Sequence, residues 1–363
     1  MTRVQRDVIM DKTEQYKKQK ISPNLMDKQG GESYMTISKY EICLEEIKGI
    51  RIGQAENAAA GTGCTVFIAD QGMAAGMDVR GGGPASRESE LLNPLAAAQV
   101  IHGIVLAGGS AFGLNAADGV MQYLEERGIG FDVGLPTKVP LVCQSDLFDL
   151  TAGDSSVRPD KAMGYAACVN SEKGGNYRDG NHGAGCGATV GKFAGMDHCM
   201  KSGIGSYAVQ IGELQVGAVV AVNALGDIFD WKTGEKIAGL LAEDRRTFRD
   251  TEDLMYADTR AVENKFTGNT TIGVVITNAD FDKSRLCKIA GMAHDGYARS
   301  IRPVHTSADG DSIYAVSVGK ISADMDLTGA VAAEVMSEAI IRAVKSAKSA
   351  YGFPAVEDLK SHG

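Results

Sequence analysis

The sequence predicts a layered α/β or α+β fold rather than a doubly wound parallel sheet, and three observations carry that expectation. Short apolar, β-branched runs such as Cys64–Ile68, Gly103–Ala107 and Thr270–Thr277 read as strands. Longer stretches with apolar residues every three or four positions read as helices. The two kinds alternate without a strict strand–helix–strand rhythm. The 363 residues, 44% hydrophobic and 23% charged, have the composition of a soluble globular protein. A chain near this length buries roughly 75% of its unfolded surface without needing a disulfide or metal staple.

In chain order, residues 1 to about 36 form a polar extension with one short amphipathic turn around Val4, Val8 and Ile9. The stretch 1–41 is expected to be disordered or a surface arm, and 42–355 to be the folded domain. After the strand Cys64–Ile68, Leu91 to about His102 is predicted helical. Gly103–Ala107 is a strand that breaks at Gly108-Gly109-Ser110 into a helix from about Gly113 to Arg127, closed by Gly128. Tyr207–Ile211 and Val216–Ala224 read as a hairpin through Gly212-Glu213, with a further strand at Ile228-Phe229. Helices are predicted over 284–300 and 329–351, the latter with Val331, Val335, Ala339, Ala343 and Ala347 every four residues. Between them, 12 of the 26 residues in Leu241–Phe266 are charged. This hydrated stretch feeds through Thr267-Gly268-Asn269 into Thr270–Thr277, whose unbroken apolar character suits a strand buried on both faces. Taken alone, that junction is an ordinary surface loop before a strand.

Several function classes are excluded. A net charge of −9 argues against nucleic-acid binding, which needs a surplus of Lys and Arg. No stretch approaches the roughly 20 apolar residues of a membrane helix. The charged start of the chain lacks the apolar core of a secretory signal, which points to the cytoplasm. None of the seven cysteines (43, 64, 143, 168, 186, 199, 287) forms a C-x-x-C pair, so no disulfide framework or zinc ribbon is indicated. Glycine, at 45 residues, is about 12% of the chain against a usual ~7%. The phosphate-loop-like run Gly183–Lys192 has Cys186 and Phe193 where that motif needs Gly and Ser or Thr. Gly108–Phe112 ends in Phe112 where a nucleophile elbow needs Gly, which leaves a serine hydrolase of that type only as a weak alternative. The six histidines form no H-E-x-x-H, and His182 and Cys186 lie in a glycine-rich loop unsuited to a helical metal pair. No metal or cofactor is expected.

Two runs carry a resemblance. Arg80-Gly81-Gly82-Gly83-Pro84 with Arg87-Glu88, and Leu106–Leu114 with Ala116–Val120, resemble the L-aminopeptidase/D-esterase (DmpA-like) family of self-processing N-terminal-nucleophile hydrolases, which includes β-aminopeptidases and nylon-oligomer amidases. The similarity extends from about Ile42 to Gly352. It implies a four-layer αββα sandwich, a homo-oligomer of four or more copies, and self-cleavage at the head of a core strand. In this sequence that bond is Asn269–Thr270, giving chains 1–269 and 270–363 with Thr270 as nucleophile.

The chemistry is coherent. A free α-amine has a pKa of about 7.7–8.0, so near neutrality it is a far better populated base than a lysine. Cutting thus creates a nucleophile and its base on one residue. By the same resemblance Asn223 donates to the oxyanion, although a strand-terminal Asn also makes Asx turns. Lys192 matches a lysine of the nylon-oligomer branch, where it would hold the nucleophile or shift nearby proton affinities; a solvated lysine is the plain alternative. Asp309-Gly310-Asp311 matches an acidic pair of that branch, placed to orient the Thr270 ammonium or bind a substrate amine. The aminopeptidase branch carries Ser and Glu there, and its contributing tyrosine has no match near Leu147-Phe148-Asp149. The resemblance implies hydrolysis of amide or ester bonds in short peptides or amino-acid amides. An acyltransferase using the same threonine, and an uncut binding or scaffold protein, remain as alternatives.

Overall fold

The computed structural model describes residues 38–257 and 268–360. Most of the polar extension and the end of the charged linker, with Asp258, Arg260, Glu263 and Lys265, lie outside the described residues. Lys39–Ile42 is already a strand, so the boundary expected at 41/42 falls inside an element.

Ten strands form the main sheets: β1 (Lys39–Ile42), β2 (Arg51–Asn57), β3 (Thr62–Val79), β4 (Ala85–Arg87), β5 (Ile101–Ala107), β6 (Val142–Asp146), β7 (Ile204–Ile211), β8 (Leu214–Asn223), β9 (Thr270–Ala279) and β10 (Ser312–Ile321). Four helices cover them: α1 (Ala116–Glu125), α2 (Lys161–Ser171), α3 (Lys283–Ser300) and α4 (Met325–Ser346). The order β1-β7-β8-β9-β10 continues through β3 into β5-β6-β4, and β2 also pairs with β3. β3 belongs to both layers. Its first half pairs with β2 and β5, its second half with β10, and the register shifts between Ile68 and Met73. A strand that switches sheets at such an irregularity joins two stacked layers covalently.

Three cores separate four layers. Phe67, Ile104 and Leu106 of one sheet meet Val219, Ile272, Val274 and Tyr314 of the other. Val216, Val220 and Val275 pack on α3 and α4 through Leu286, Ile289, Val335 and Ile340. Val66 and Val105 pack on α1 and α2 through Val120, Leu124 and Ala167. β9 therefore sends Ile272 and Val274 into the inter-sheet core and Val275 toward the helices, which explains its uninterrupted apolar sequence. This is the αββα arrangement the resemblance implies.

Two helix expectations need correction. Leu91–His102 is not a helix: a 3-10 turn over Ser89–Leu92 ends at Asn93, and β5 starts at Ile101. Pro94 holds the preceding Asn93 extended (ψ 131°), and the Asn93 side chain caps the Leu95 N–H at 3.0 Å. The carbonyls a helix would have used go to the Lys283 ammonium instead, from Leu91 (2.9 Å), Asn93 (3.1 Å) and Ala96 (3.0 Å). α4 spans Met325–Ser346 rather than 329–351. It starts early because Asp324 caps the Leu327 N–H at 2.7 Å. It stops early because Lys348 pairs through its backbone with the Asn181 side chain at 2.8 and 3.0 Å. The helix expected from Gly113 begins at Ala116, after a 3-10 turn over Ser110–Asn115, and Gly128 closes it at φ +66°.

Candidate active site

Sheet register brings the first two site residues together. β8 and β9 are antiparallel, and Asn223, the last residue of β8, is the partner of Thr270, the first residue of β9. Both are buried, Thr270 at 4% exposure. Lys192 arrives from the glycine-rich loop, whose backbone is pinned beside the end of β8 by Gly191 N–H to Gly226 O (3.2 Å) and Lys192 N–H to Leu225 O (3.0 Å). Lys192 is not the solvated residue its loop allowed. It is 2% exposed, and its ammonium donates to the Asn223 side-chain oxygen (2.6 Å), the Asn223 carbonyl (3.0 Å) and the Gly268 carbonyl (3.1 Å). Burial pushes this ammonium down to about 8, against the opposing pull of Cys199, Asp309 and Asp149.

Asn223 is likewise no Asx turn. Its amide donates to the Phe148 carbonyl (2.9 Å) and the Gly268 carbonyl (3.3 Å), so Lys192 and Asn223 converge on one oxygen. Gly268 reaches that position at φ +69°, with the Phe148 ring where a Cβ would lie.

Across the junction, the Thr270 hydroxyl donates to the Asn269 carbonyl oxygen, which also accepts the Gly310 N–H at 2.9 Å. Asn269 forms a parallel bridge with Asp309, so the acidic turn runs directly beside the bond. Gly310 fits there because a Cβ would stand 2.7 Å from the Thr270 hydroxyl oxygen and 2.8 Å from the Gly83 carbonyl. The run Arg80–Gly83 cradles this turn with its backbone: Arg80 N–H and Gly81 N–H donate to Asp311 O (3.0 and 3.2 Å), and Gly83 N–H to Asp309 O (2.8 Å).

The two carboxylates are both buried but differently engaged. Asp311 accepts the Thr271 N–H at 2.8 Å on one oxygen and pairs on the other with His305 Nδ1 (2.9 Å) and N–H (3.2 Å). Asp309 accepts the Thr306 hydroxyl (2.6 Å) and N–H (2.9 Å). Burial, then the Asp311 charge, pushes the Asp309 carboxyl up to about 6. All six residues singled out in the sequence (Lys192, Asn223, Asn269, Thr270, Asp309, Asp311) thus gather at one junction. Phe148, Gly268 and His305 escaped sequence reasoning. The nearness of His305 to Asp309 and of Gly268 to Thr270 along the chain, and for Phe148 its place in the stretch where the family's contributing tyrosine was sought, were the signals for them. Among the described residues no group of three or more His, Cys, Asp or Glu side chains is arranged to hold a metal. Among the same residues no helix is long and apolar enough to cross a membrane.

Comparison with known proteins bears on family and fold. Residues 43–356 match Peptidase family S58. An uncharacterized aminopeptidase of Mycobacterium leprae is 35% identical over 340 residues, covering 86% of this chain and 92% of the relative. A 6-aminohexanoate-oligomer endohydrolase of Kocuria sp. is 30% identical over 316 residues, covering 83% and 85%. In three dimensions the chain is similar to a Burkholderia sp. β-aminopeptidase (TM-score 0.61, 19% identity, covering 86% and 92%). It is equally similar to the L-aminopeptidase D-Ala-esterase/amidase of Ochrobactrum anthropi, a variant of the Ntn hydrolase fold (TM-score 0.61, 15% identity, covering 83% and 85%). With a family match over most of its length, the chain belongs to peptidase family S58.

Proposed function

We propose that the chain cuts itself between Asn269 and Thr270, and that the freed Thr270 then hydrolyses amide bonds of short peptides or amino-acid amides through an acyl-enzyme. The observation that carries this reading is the contact of the Thr270 hydroxyl with the Asn269 carbonyl group, whose oxygen already accepts the Gly310 N–H. In the cut, Thr270 Oγ adds to the Asn269 carbonyl carbon while the Gly310 N–H stabilises the resulting oxyanion. The hydroxyl proton ends on the Thr270 nitrogen, which leaves as an amine, and an ester joins Asn269 to Thr270 Oγ. Water cleaves that ester and releases the Asn269 carboxylate.

Departure of Gly268 then removes an acceptor shared by Lys192 and Asn223. The position it vacates suits a substrate carbonyl oxygen, where such a preorganised donor contributes about 3–4 kcal/mol in the transition state. The free α-amine of Thr270 takes the hydroxyl proton, Oγ attacks the substrate carbonyl, and the protonated amine passes its proton to the departing amine. Water, activated by the same base, frees the acyl group. The names of the similar proteins, an aminopeptidase and an amide-oligomer endohydrolase, support the substrate class. The proposal includes a cytoplasmic homo-oligomer of four or more cut chains.

Denaturing mass analysis of freshly purified protein tests the first step. The expected fragments are about 28 and 10 kDa, the residue shares of 38.2 kDa, the smaller beginning Thr-Thr-Ile-Gly. They should be absent in Thr270→Ala. A wild-type chain that stays whole for days at neutral pH would sink the mechanism.

A further inference from the structure

The run Gly108–Leu114 takes no part in the chemistry above, yet it is stitched to Leu147-Phe148-Asp149 around one buried carboxylate. Ser110 N–H donates to Leu147 O (2.9 Å) and Leu147 N–H to Ala107 O (2.8 Å), so the two segments run side by side. Asp149, 2% exposed, accepts the Gly109 N–H on Oδ1 (2.7 Å) and the Thr62 hydroxyl on Oδ2 (2.8 Å). A Cβ on Gly108 would fall inside the Asp149 carboxylate, and one on Gly187 would meet the Gly61 carbonyl oxygen at 2.0 Å and the Asp149 Cβ at 2.8 Å. Between Leu147 and Asp149, Phe148 faces the site twice: its carbonyl accepts the Asn223 amide, and its ring covers Gly268.

The charges around Asp149 point the same way. The cations that act on this buried region are Lys192 and Lys201, and the other titratable groups are Asp146, Cys186 and Tyr351. Lys201 spends its donors on the carbonyls of Gly185 (3.2 Å), Ala188 (3.0 Å) and Ser202 (2.5 Å). Asp146 is fully buried with Oδ2 unpartnered, and burial pushes it well above the carboxylate range. Asp149 has two hydrogen-bond donors and sits only as high as about 6, so at neutral pH it carries the negative charge of the two.

We propose that Asp149 is a positioning residue of the active site: clamped by Gly109 and Thr62, it fixes the Phe148 carbonyl that aims the Asn223 amide, and its charge adds to those of Cys199 and Asp309 in favouring the Lys192 ammonium. The catalytic consequence rests on the reading of Thr270; the effect on Lys192 does not.

Asp149→Asn removes the charge and keeps the shape, since the asparagine oxygen still accepts from Gly109 and its NH₂ donates to the Thr62 hydroxyl. In the cutting chain, kcat on an amino-acid amide at pH 8 should fall about 2-fold with KM little changed, because less of Lys192 is protonated there. The alkaline limb of the kcat profile should move to lower pH. In the uncut Thr270→Ala chain, 13C NMR of the lysine ε-carbons gives the Lys192 midpoint directly, assigned by its loss in Lys192→Met. Asp149→Asn should lower that midpoint by about half a unit or more. An unmoved midpoint, or an unchanged kcat profile, overturns the proposal. Thr62→Val keeps the charge but strips one donor from it, and in the uncut Thr270→Ala chain should raise the Asp149 midpoint, read by 13C NMR of the carboxyl signal that Asp149→Asn removes; an unmoved midpoint also counts against the clamp. Failure of the wild-type chain to cut itself would refute the Thr270 reading, while the lysine titration would still decide the role of Asp149.

Discussion

Lys192 is a buried ammonium whose three hydrogen-bond acceptors are all amide oxygens, and that composition sets how it responds to pH. Such oxygens satisfy the donors without cancelling the charge, so burial dominates and brings the group down to about 8. It donates only when protonated, so hydrolysis of an amide substrate by the cut chain, in which this donor faces the substrate carbonyl, should slow as pH rises through about 8. Lys192→Met should lower kcat on an amino-acid amide about 100-fold or more and erase that alkaline limb, as read from the rate profile between pH 6 and 10. A limb that persists in Lys192→Met would assign it to another group. Stability moves the opposite way. The unfolded lysine titrates at 10.5, so between about 8 and 10.5 the unfolded chain binds more protons, and the uncut Thr270→Ala protein should gain stability with rising pH over that window. Asp309 is the mirror case. Raised from 3.8 to about 6, it penalises the fold above about 6, and the penalty fades as pH falls toward 3.8. Asp309→Asn in the uncut chain should therefore add on the order of 1–3 kcal/mol at pH 7 and progressively less below pH 6, measured by urea unfolding. An advantage that is constant with pH would show that the Asp309 carboxyl is not raised.

At the scale of elements, the parts that the sequence revealed are those whose pattern is local. Thr270–Thr277 reads as a strand buried on both faces because cores on both sides require apolar residues at every position. The hairpin at Gly212-Glu213 was equally legible, and so was the Asn269–Thr270 junction once the glycine-rich runs suggested a family. What stayed hidden is non-local. No periodicity in Leu91–His102 reports that Lys283, far along the chain, will take the carbonyls of Leu91, Asn93 and Ala96. Nor does any spacing reveal that Phe148 faces Gly268, or that the Asp309 and Asp311 carboxylates are engaged by Thr306 and His305. The Lys283 clamp gives a direct test. Lys283→Met removes the donor that gathers the carbonyls of Leu91, Asn93 and Ala96 and should cost about 1–3 kcal/mol in the uncut chain, with the loss confined to stability. If chemical unfolding places the variant within about 0.5 kcal/mol of its parent, the loop is held by something else. Gly310→Ala is the complementary element-scale change. A Cβ there presses on both the Thr270 hydroxyl and the Gly83 carbonyl, so cutting should stop while the sheet stays intact, with a whole chain on a denaturing gel and an unaltered circular dichroism spectrum. A variant that cuts at the wild-type rate would show that the turn does not have to press on the nucleophile.

On the scale of the whole molecule, the proposed cut falls where it can sever the chain without dividing the protein. Beyond Asn269 the chain supplies β9 and β10, two adjacent strands in the middle of the first sheet, and both helices of its outer layer. β9 is paired along its length with β8, which lies on the other side of the cut, and β10 pairs with β3. The cores on both faces of that sheet draw residues from both fragments, Val216 and Val220 against Ile289 and Val335, and Phe67 and Leu106 against Ile272 and Tyr314. Separating the fragments would expose those cores together with four unpaired strand edges, on β8, β9, β10 and β3, and at about 25 cal/mol per Å² of apolar area no isolated fragment recovers that loss. The two chains should therefore elute as one species in native size exclusion and part only in denaturant. Cutting should change the chemistry at Thr270 while leaving global unfolding a single cooperative transition. Elution of a free fragment of about 10 kDa from the cut protein, without denaturant, would mean that the two sheets do not hold across the break.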